Sequence, residues 1–200
     1  MSSASDGMLL ERALRTAAIA HRHQLRKCSD VPYFTHSAAV ALILARFGFD
    51  DEVLLAAAVL HDVVEDTDVT LEELAAQFPP ATVEAVAALS ETKNDADGTL
   101  RPWEDRKAEH LRHIAAASLI ARAIALADKL HNMQTMRLDL AEGTLSLSAF
   151  RASPERLLWY YRSMIDAAAG DEAQFVPLAE ACRAAWERLR EAMSGSAPSD

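Results

Sequence analysis

The chain has 200 residues, 50% hydrophobic and 25% charged, which suits one domain able to bury roughly 70% of its unfolded surface. A net charge of −10 argues against a basic face for long nucleic acid, but not against a small nucleotide met by a metal and a few local cations. No apolar run reaches the length of a membrane span, Met1 to Gly7 carries no basic start followed by an apolar core, and Cys28 and Cys182 fit no metal spacing; the expectation is a cytoplasmic protein with free thiols and no membrane partner.

Taken in order, the apolar spacing is helical nearly throughout. Leu9, Leu10, Ala13, Leu14 and Ala17 mark an amphipathic helix. Ala38 to Phe47 forms a second, stopped by Gly48, with His36 standing at its entrance in Pro32-Tyr33-Phe34-Thr35-His36-Ser37. Asp51 and Glu52 open a third, whose apolar run Val53 to Leu60 leads into His61-Asp62. Thr70-Leu71-Glu72-Glu73 reads as a capping box with Thr70 as N-cap, for a short helix ended near Pro79 and Pro80. Pro80 to Ser90 is a further helix, and Asp97-Gly98 puts a turn between Asn94 and Pro102.

A long helical region runs from Trp103 to about Arg137 with a break near Ser118, and two more helices span Pro154 to Ala169 and Ala173 to Met193. No strand pattern, internal repeat or linker stands out. The predicted fold is all-α: a single helical bundle over residues 1–193 with a flexible tail at 194–200. Trp159, Tyr160 and Trp186 in the terminal helices fit either the core or a subunit contact, which leaves a homo-oligomer open.

Chemistry concentrates where polar groups interrupt apolar helices. His61, Asp62, Glu65 and Asp66 follow a run that looks buried, and an unpaired buried carboxylate costs several kcal/mol or more. A divalent cation is the natural partner for such a set. In a continuous helix His61 and Glu65 share a face, as do Asp62 and Asp66. Asp128, alone among Ala, Ile and Leu, pairs with Lys129 or Arg122 or serves as a ligand. With His36 the order is H…HD…D, more specific than any member of it.

That set, with the strings Ala20-His21-Arg22-His23-Gln24-Leu25-Arg26-Lys27, Val63-Val64-Glu65-Asp66-Thr67, Leu89-Ser90-Glu91-Thr92-Lys93, Asp105-Arg106-Lys107 and Leu126-Ala127-Asp128-Lys129-Leu130-His131-Asn132-Met133, resembles the HD-domain phosphohydrolases. Within them it resembles the hydrolase domain of the RelA/SpoT-type alarmone enzymes and their small stand-alone relatives. The resemblance implies an HD-type helical bundle holding a divalent metal, Mn²⁺ by preference, on His36, His61, Asp62 and Asp128. Glu65 and Asp66 would then orient or deprotonate the attacking water, and Arg26 with Lys27 would flank and stack on guanine. Asn132 and Thr135 would contact the nucleoside. By charge alone, Arg106, Lys107 and Lys129 either neutralise phosphate or stand as solvated helix cations.

The implied reaction is hydrolysis of the 3′-pyrophosphate of guanosine tetra- or pentaphosphate to GDP or GTP plus pyrophosphate. An adenosine alarmone, the 2′-phosphate of NADPH, and a non-catalytic alarmone-binding module stand as alternatives. Three departures touch the substrate side: Ser37 replaces a frequent proline, Cys28-Ser29-Asp30-Val31 replaces a glycine-containing turn, and Gln134 stands where arginine is frequent. The synthetase module of the long enzymes does not follow the helical region, which favours a degradative enzyme acting alone.

Overall fold

The computed structural model describes residues 8–95, 97–146 and 152–195. Its order is α1 Leu9–Ala20, α2 Phe34–Arg46, α3 Glu52–Leu60, α4 Val63–Asp66, α5 Leu71–Ala75, α6 Pro80–Leu89, α7 Trp103–Ala116, α8 Leu119–Ala141, α9 Pro154–Ala169 and α10 Val176–Gly195. Among the described residues, strand-like pairing is limited to the isolated bridges Leu25–Pro32 and Asn94–Leu100.

Local rules account for most of the helix ends. Asp51 caps α3 by accepting from the Leu54 N–H at 3.0 Å. Thr70 and Glu73 form the reciprocal capping box of α5. Ser118 accepts from the Ala121 N–H and restarts the chain as α8, which is the break expected there. The first turn of α1 is capped from another helix, because Glu52 Oε1 of α3 accepts from the Leu9 and Leu10 N–H groups.

Several boundaries differ from the sequence reading: α2 begins at Phe34 rather than Ala38, so His36 lies inside it, and α8 runs on to Ala141 rather than ending at about Arg137. The last helix begins at Val176, after a 3₁₀ turn at Ala173–Phe175, and continues through Ser194 and Gly195. The rest of the expected tail, 196–200, and the N-terminal residues 1–7 lie outside the described residues.

Two apolar clusters meet on α3. Ala56, Val59 and Leu60 pack with Ala13 and Ala17 of α1 and with Leu74, Phe78 and Val86. Leu54, Ala57 and Ala58 pack with α2, α6, α8 and the terminal helices. Small side chains let neighbours approach α3 closely on both sides, so His61-Asp62 emerges from the most enclosed helix of the fold. The terminal helices complete the core: Leu178, Cys182 and Leu189 of α10 are fully buried with Ile124 and Leu126 of α8. Tyr160 is buried as well, whereas Trp159 faces out.

Arg122, considered above as a partner for Asp128, instead closes the C-terminus of α9. Its Nε and Nη2 each donate at 2.9 Å, to the Ala168 and Ala169 carbonyls. The following Gly170 has φ +50°, and a Cβ there would meet Arg122 Nη2 at 2.5 Å. Arg122 could swing aside only by giving up those carbonyls. Gly170→Ala is therefore expected to destabilise the chain by about 2 kcal/mol, read as a drop of roughly 4–8 °C in thermal unfolding.

Candidate active site

Four side chains from three helices converge. His36 comes from the first turn of α2, His61 and Asp62 follow the end of α3, and Asp128 sits midway along α8. His36 Nε2 lies 3.2 Å from Asp128 Oδ1 and 3.4 Å from Asp62 Oδ2. His61 Nε2 lies 3.0 Å from Asp62 Oδ2 and 4.0 Å from Asp128 Oδ1. Donors about 2.1 Å from one ion sit roughly 3.0–3.4 Å apart, so these spacings fit a shared divalent cation.

Ring orientation favours the same use. His61 Nδ1–H donates to the Ala58 carbonyl at 2.7 Å, which turns Nε2 toward the carboxylates. That Nε2 is buried and makes no aligned hydrogen bond, even to the nearby Asp62 oxygen. His36 Nδ1 meets His131 Nδ1 at 2.8 Å, so His36 also turns Nε2 toward the carboxylates.

The electrostatics are those of a cation site. Burial opposes the charged form of His61, yet Asp62 and Asp128 outweigh it and lift its pKa to about 9. Burial alone would raise Asp62, but the facing His61 and His36 hold it well below the usual carboxylate range. Asp128 is likewise held low, against burial, by Lys129 and His36. Burial and the imidazole of His36 push His131 down to about 4.

The dyad does not sit within one continuous helix. His61 keeps helical dihedrals, but Asp62 (φ −98°, ψ −4°) ends one helix and precedes the single turn of α4. The break separates His61 from Glu65, while Asp62 and Asp66 keep their i, i+4 relation across α4, where the Asp66 N–H donates to the Asp62 carbonyl at 2.9 Å. Glu65 and Asp66 follow on α4, and both line a cleft of about 180 Å³ with His61, Asp62 and Asp128. Glu65 Oε2 accepts from the Glu91 N–H at 3.0 Å, and Lys93 Nζ lies 3.1 Å from Glu65 Oε1 and 3.0 Å from Asp66 Oδ1. Burial holds the Glu65 carboxyl above its ordinary value despite Lys93.

A second hollow, about 230 Å³, adjoins the first across Tyr33 and Asn132 and gathers Arg26, Lys27, Asn132 and Thr135. Arg26 Nη2 donates to Asn132 Oδ1 at 2.8 Å and approaches Thr135 Oγ1 at 3.4 Å. Asn132 Nδ2 in turn donates to Asp128 Oδ1. A hydrogen-bonded line therefore runs from the guanidinium of one hollow to a carboxylate of the other. Cys28 takes φ +59°, the left-handed conformation that glycine adopts most readily. A third hollow, about 620 Å³ between Gln24 and Glu73, shares only Asp66 with the cleft.

The cations expected on phosphate are engaged within the protein. Arg106 and Lys107 both donate to Glu91, and Lys129 donates to Asp128. Tyr33 lies in the wall shared by the two hollows. Its hydroxyl donates to Asp62 Oδ2 at 2.6 Å, and its ring lies 5.4 Å from the Arg26 guanidinium. Burial, then the Asp62 charge, drives the Tyr33 hydroxyl far above its ordinary pKa, so it stays a donor. His131, Glu91 and Lys93 lay inside matching strings, but no spacing rule assigned them partners.

Residues 13–149 match the HD domain family. Guanosine-3′,5′-bis(diphosphate) 3′-pyrophosphohydrolase MESH1 of Danio rerio is 34% identical over 145 residues, covering 72% of this chain and 77% of that protein. The Homo sapiens protein of the same name is 39% identical over 141 residues, or 70% of this chain and 75% of its own length. A GTP pyrophosphokinase of Streptomyces coelicolor is 41% identical over 131 residues, which is 15% of that much longer protein. A solved metazoan orthologue of SpoT, described as hydrolysing ppGpp, superposes with a TM-score of 0.70 at 27% identity, covering 98% of both chains.

Proposed function

Because the chain belongs to the HD-domain family, we propose that its paired hollows form the active site of a divalent-metal-dependent 3′-pyrophosphohydrolase acting on guanosine tetra- and pentaphosphate. The observation that carries this reading is the line Arg26–Asn132–Asp128, which couples a base-stacking guanidinium to a carboxylate of the cation site. The relatives named as pyrophosphohydrolases of the same guanosine compound support it.

In this reading His36, His61, Asp62 and Asp128 hold Mn²⁺, which suits a mixed imidazole and carboxylate set with positions left for solvent and phosphate. When bound, the ion supplies Lewis-acid polarisation of the phosphoryl group and activation of water. Glu65 and Asp66 line the same cleft and would accept the proton of the attacking water. The water oxygen bonds to the phosphorus attached at the 3′ position, the bond from that phosphorus to the ribose 3′-oxygen breaks, and the 3′-oxygen is protonated. The products are pyrophosphate and GDP or GTP. Arg26 stacks its planar guanidinium on guanine, with Lys27 beside it, and Asn132 and Thr135 contact the nucleoside. Tyr33 closes the wall between base and metal and keeps one Asp62 oxygen in place.

The proposed unit is one helical domain, and the reading assigns it to the cytoplasm, in keeping with free Cys28 and Cys182. Among the described residues no helix is long and apolar enough to cross a membrane.

The test is product analysis. Protein stripped with a chelator and reloaded with Mn²⁺, Fe²⁺, Zn²⁺ or Mg²⁺ is given ppGpp, its adenosine counterpart, or NADPH. Pyrophosphate and GDP in equal amounts from ppGpp, fastest with Mn²⁺ and abolished by chelation, are the expected result. Faster turnover of either other substrate would reassign the specificity. Calorimetric binding of ppGpp with no product over hours would leave a binding module.

A further inference from the structure

The strap that joins α6 to α7 has no part in the reaction as written above, yet it reaches the water-handling carboxylates. Lys93 sends its ammonium between Glu65 Oε1 and Asp66 Oδ1, at 3.1 and 3.0 Å, and also lies 3.4 Å from the Glu65 carbonyl. The preceding turn of the strap supplies the Glu91 N–H to Glu65 Oε2. Both oxygens of Glu65 are therefore held from the same three-residue segment.

The two carboxylates need such a partner. They are consecutive carboxylates on the single turn of α4. Asp62 adds a further like charge beside Glu65. The other ammonium groups of the cleft are turned elsewhere, Lys107 to Glu91 and Lys129 to Asp128. Lys93 thus opposes a repulsion that would otherwise push Glu65 and Asp66 apart.

Its anchor is firm. The Lys93 carbonyl accepts from the Arg101 N–H at 3.0 Å, and the Arg101 guanidinium donates to the Thr92 carbonyl at 3.3 Å. The Asn94–Leu100 bridge closes the loop beyond it, while Glu91 ties its other end to α7 through Arg106 and Lys107. Lys93 itself is 41% exposed, and ion pairs that open to solvent contribute little to stability. A fixed backbone carrying a weakly stabilising bridge onto both carboxylates suits a role in their alignment better than one in holding the fold.

We propose that Lys93 is a positioning residue, which keeps Glu65 and Asp66 aligned toward the cleft. This rests on the reading of Glu65 and Asp66 as the water-handling pair. It acts through them and needs no contact with substrate.

The experiment compares wild type, Lys93→Met and Lys93→Arg. Steady-state pyrophosphate release from ppGpp with Mn²⁺ is measured across pH, beside thermal unfolding. Carbon-detected NMR titration of the Glu65 carboxyl, which needs no turnover, is run on the same three proteins. Lys93→Met is expected to lower kcat by about 10–100-fold, a fraction of what a general base provides, with KM changed less than about threefold. Its acidic limb should move to higher pH, the Glu65 carboxyl should titrate at higher pH, and the unfolding midpoint should stay within about 2 °C.

Lys93→Arg, which keeps the charge, should recover most of the rate and the wild-type titration. Wild-type kcat in Lys93→Met, an unmoved Glu65 titration, or Lys93→Arg as impaired as Lys93→Met overturns the proposal. Wild-type protein that releases no pyrophosphate would instead sink the hydrolase reading, and the titration would still decide what Lys93 does to Glu65.

Discussion

Asp62→Ala is expected to reduce pyrophosphate release by more than about 10³-fold, because a bound cation is worth several kcal/mol of transition-state stabilisation and each 1.4 kcal/mol is tenfold in rate. The geometry makes Asp62 the least replaceable member of its set. One oxygen, Oδ2, lies within 3.4 Å of the Nε2 atoms of both His36 and His61 and also accepts the Tyr33 hydroxyl. Alanine removes a carboxylate donor and leaves that hydroxyl without its acceptor. It also takes from His61 one of the two carboxylates that lift its pKa against burial. Added Mn²⁺ should raise the unfolding temperature of wild type through linkage, and the increment should shrink in the variant. Helical circular dichroism checks that the fold survives. Wild-type turnover in Asp62→Ala would mean that the chemistry lies elsewhere.

What the sequence made legible follows from the cost of burying charge. His61 and Asp62 end the apolar run of α3, and Asp128 follows the apolar run Ala123 to Ala127 in α8, so both positions stand out in the sequence. Caps are equally readable: Thr70 with Glu73, and Ser118 at the restart of α8, depend on neighbours three residues away. Partnerships that span the fold leave no such trace. Tyr33 follows Pro32 like many core aromatics, and only the packing of α2 against α3 brings its hydroxyl to Asp62. Arg106 and Lys107 looked like phosphate ligands because an exposed helix cation and one turned to a buried carboxylate read alike. The break at Asp62 was hidden too, since Val63 and Val64 continue the apolar pattern of α3 while the backbone changes course.

Glu91→Ala is the second large expectation, and here the effect falls on stability: about 3 kcal/mol, or roughly 6–12 °C in the unfolding midpoint. The Glu91 side chain is only 4% exposed and accepts from Arg106 and Lys107, whose own side chains are 13% and 19% exposed. Removing the carboxylate leaves two largely enclosed cations facing each other near Lys129, and burial already pulls the Lys107 pKa down. Burial alone would raise the Glu91 carboxyl, but Lys107 and Arg106 hold it below its ordinary value. A carboxyl lowered on folding stabilises the fold above its unfolded pKa, about 4.3, and that contribution is lost as pH falls through the lowered native value. The gap between Glu91→Ala and wild type should therefore be full at neutral pH and narrow in acid. Glu91→Gln keeps shape and one acceptor, and should recover part of the loss without its pH dependence. A Glu91→Ala protein as stable as wild type at pH 7 would show that the cations find water instead, and that the joint between α6 and α7 does not depend on this charge cluster.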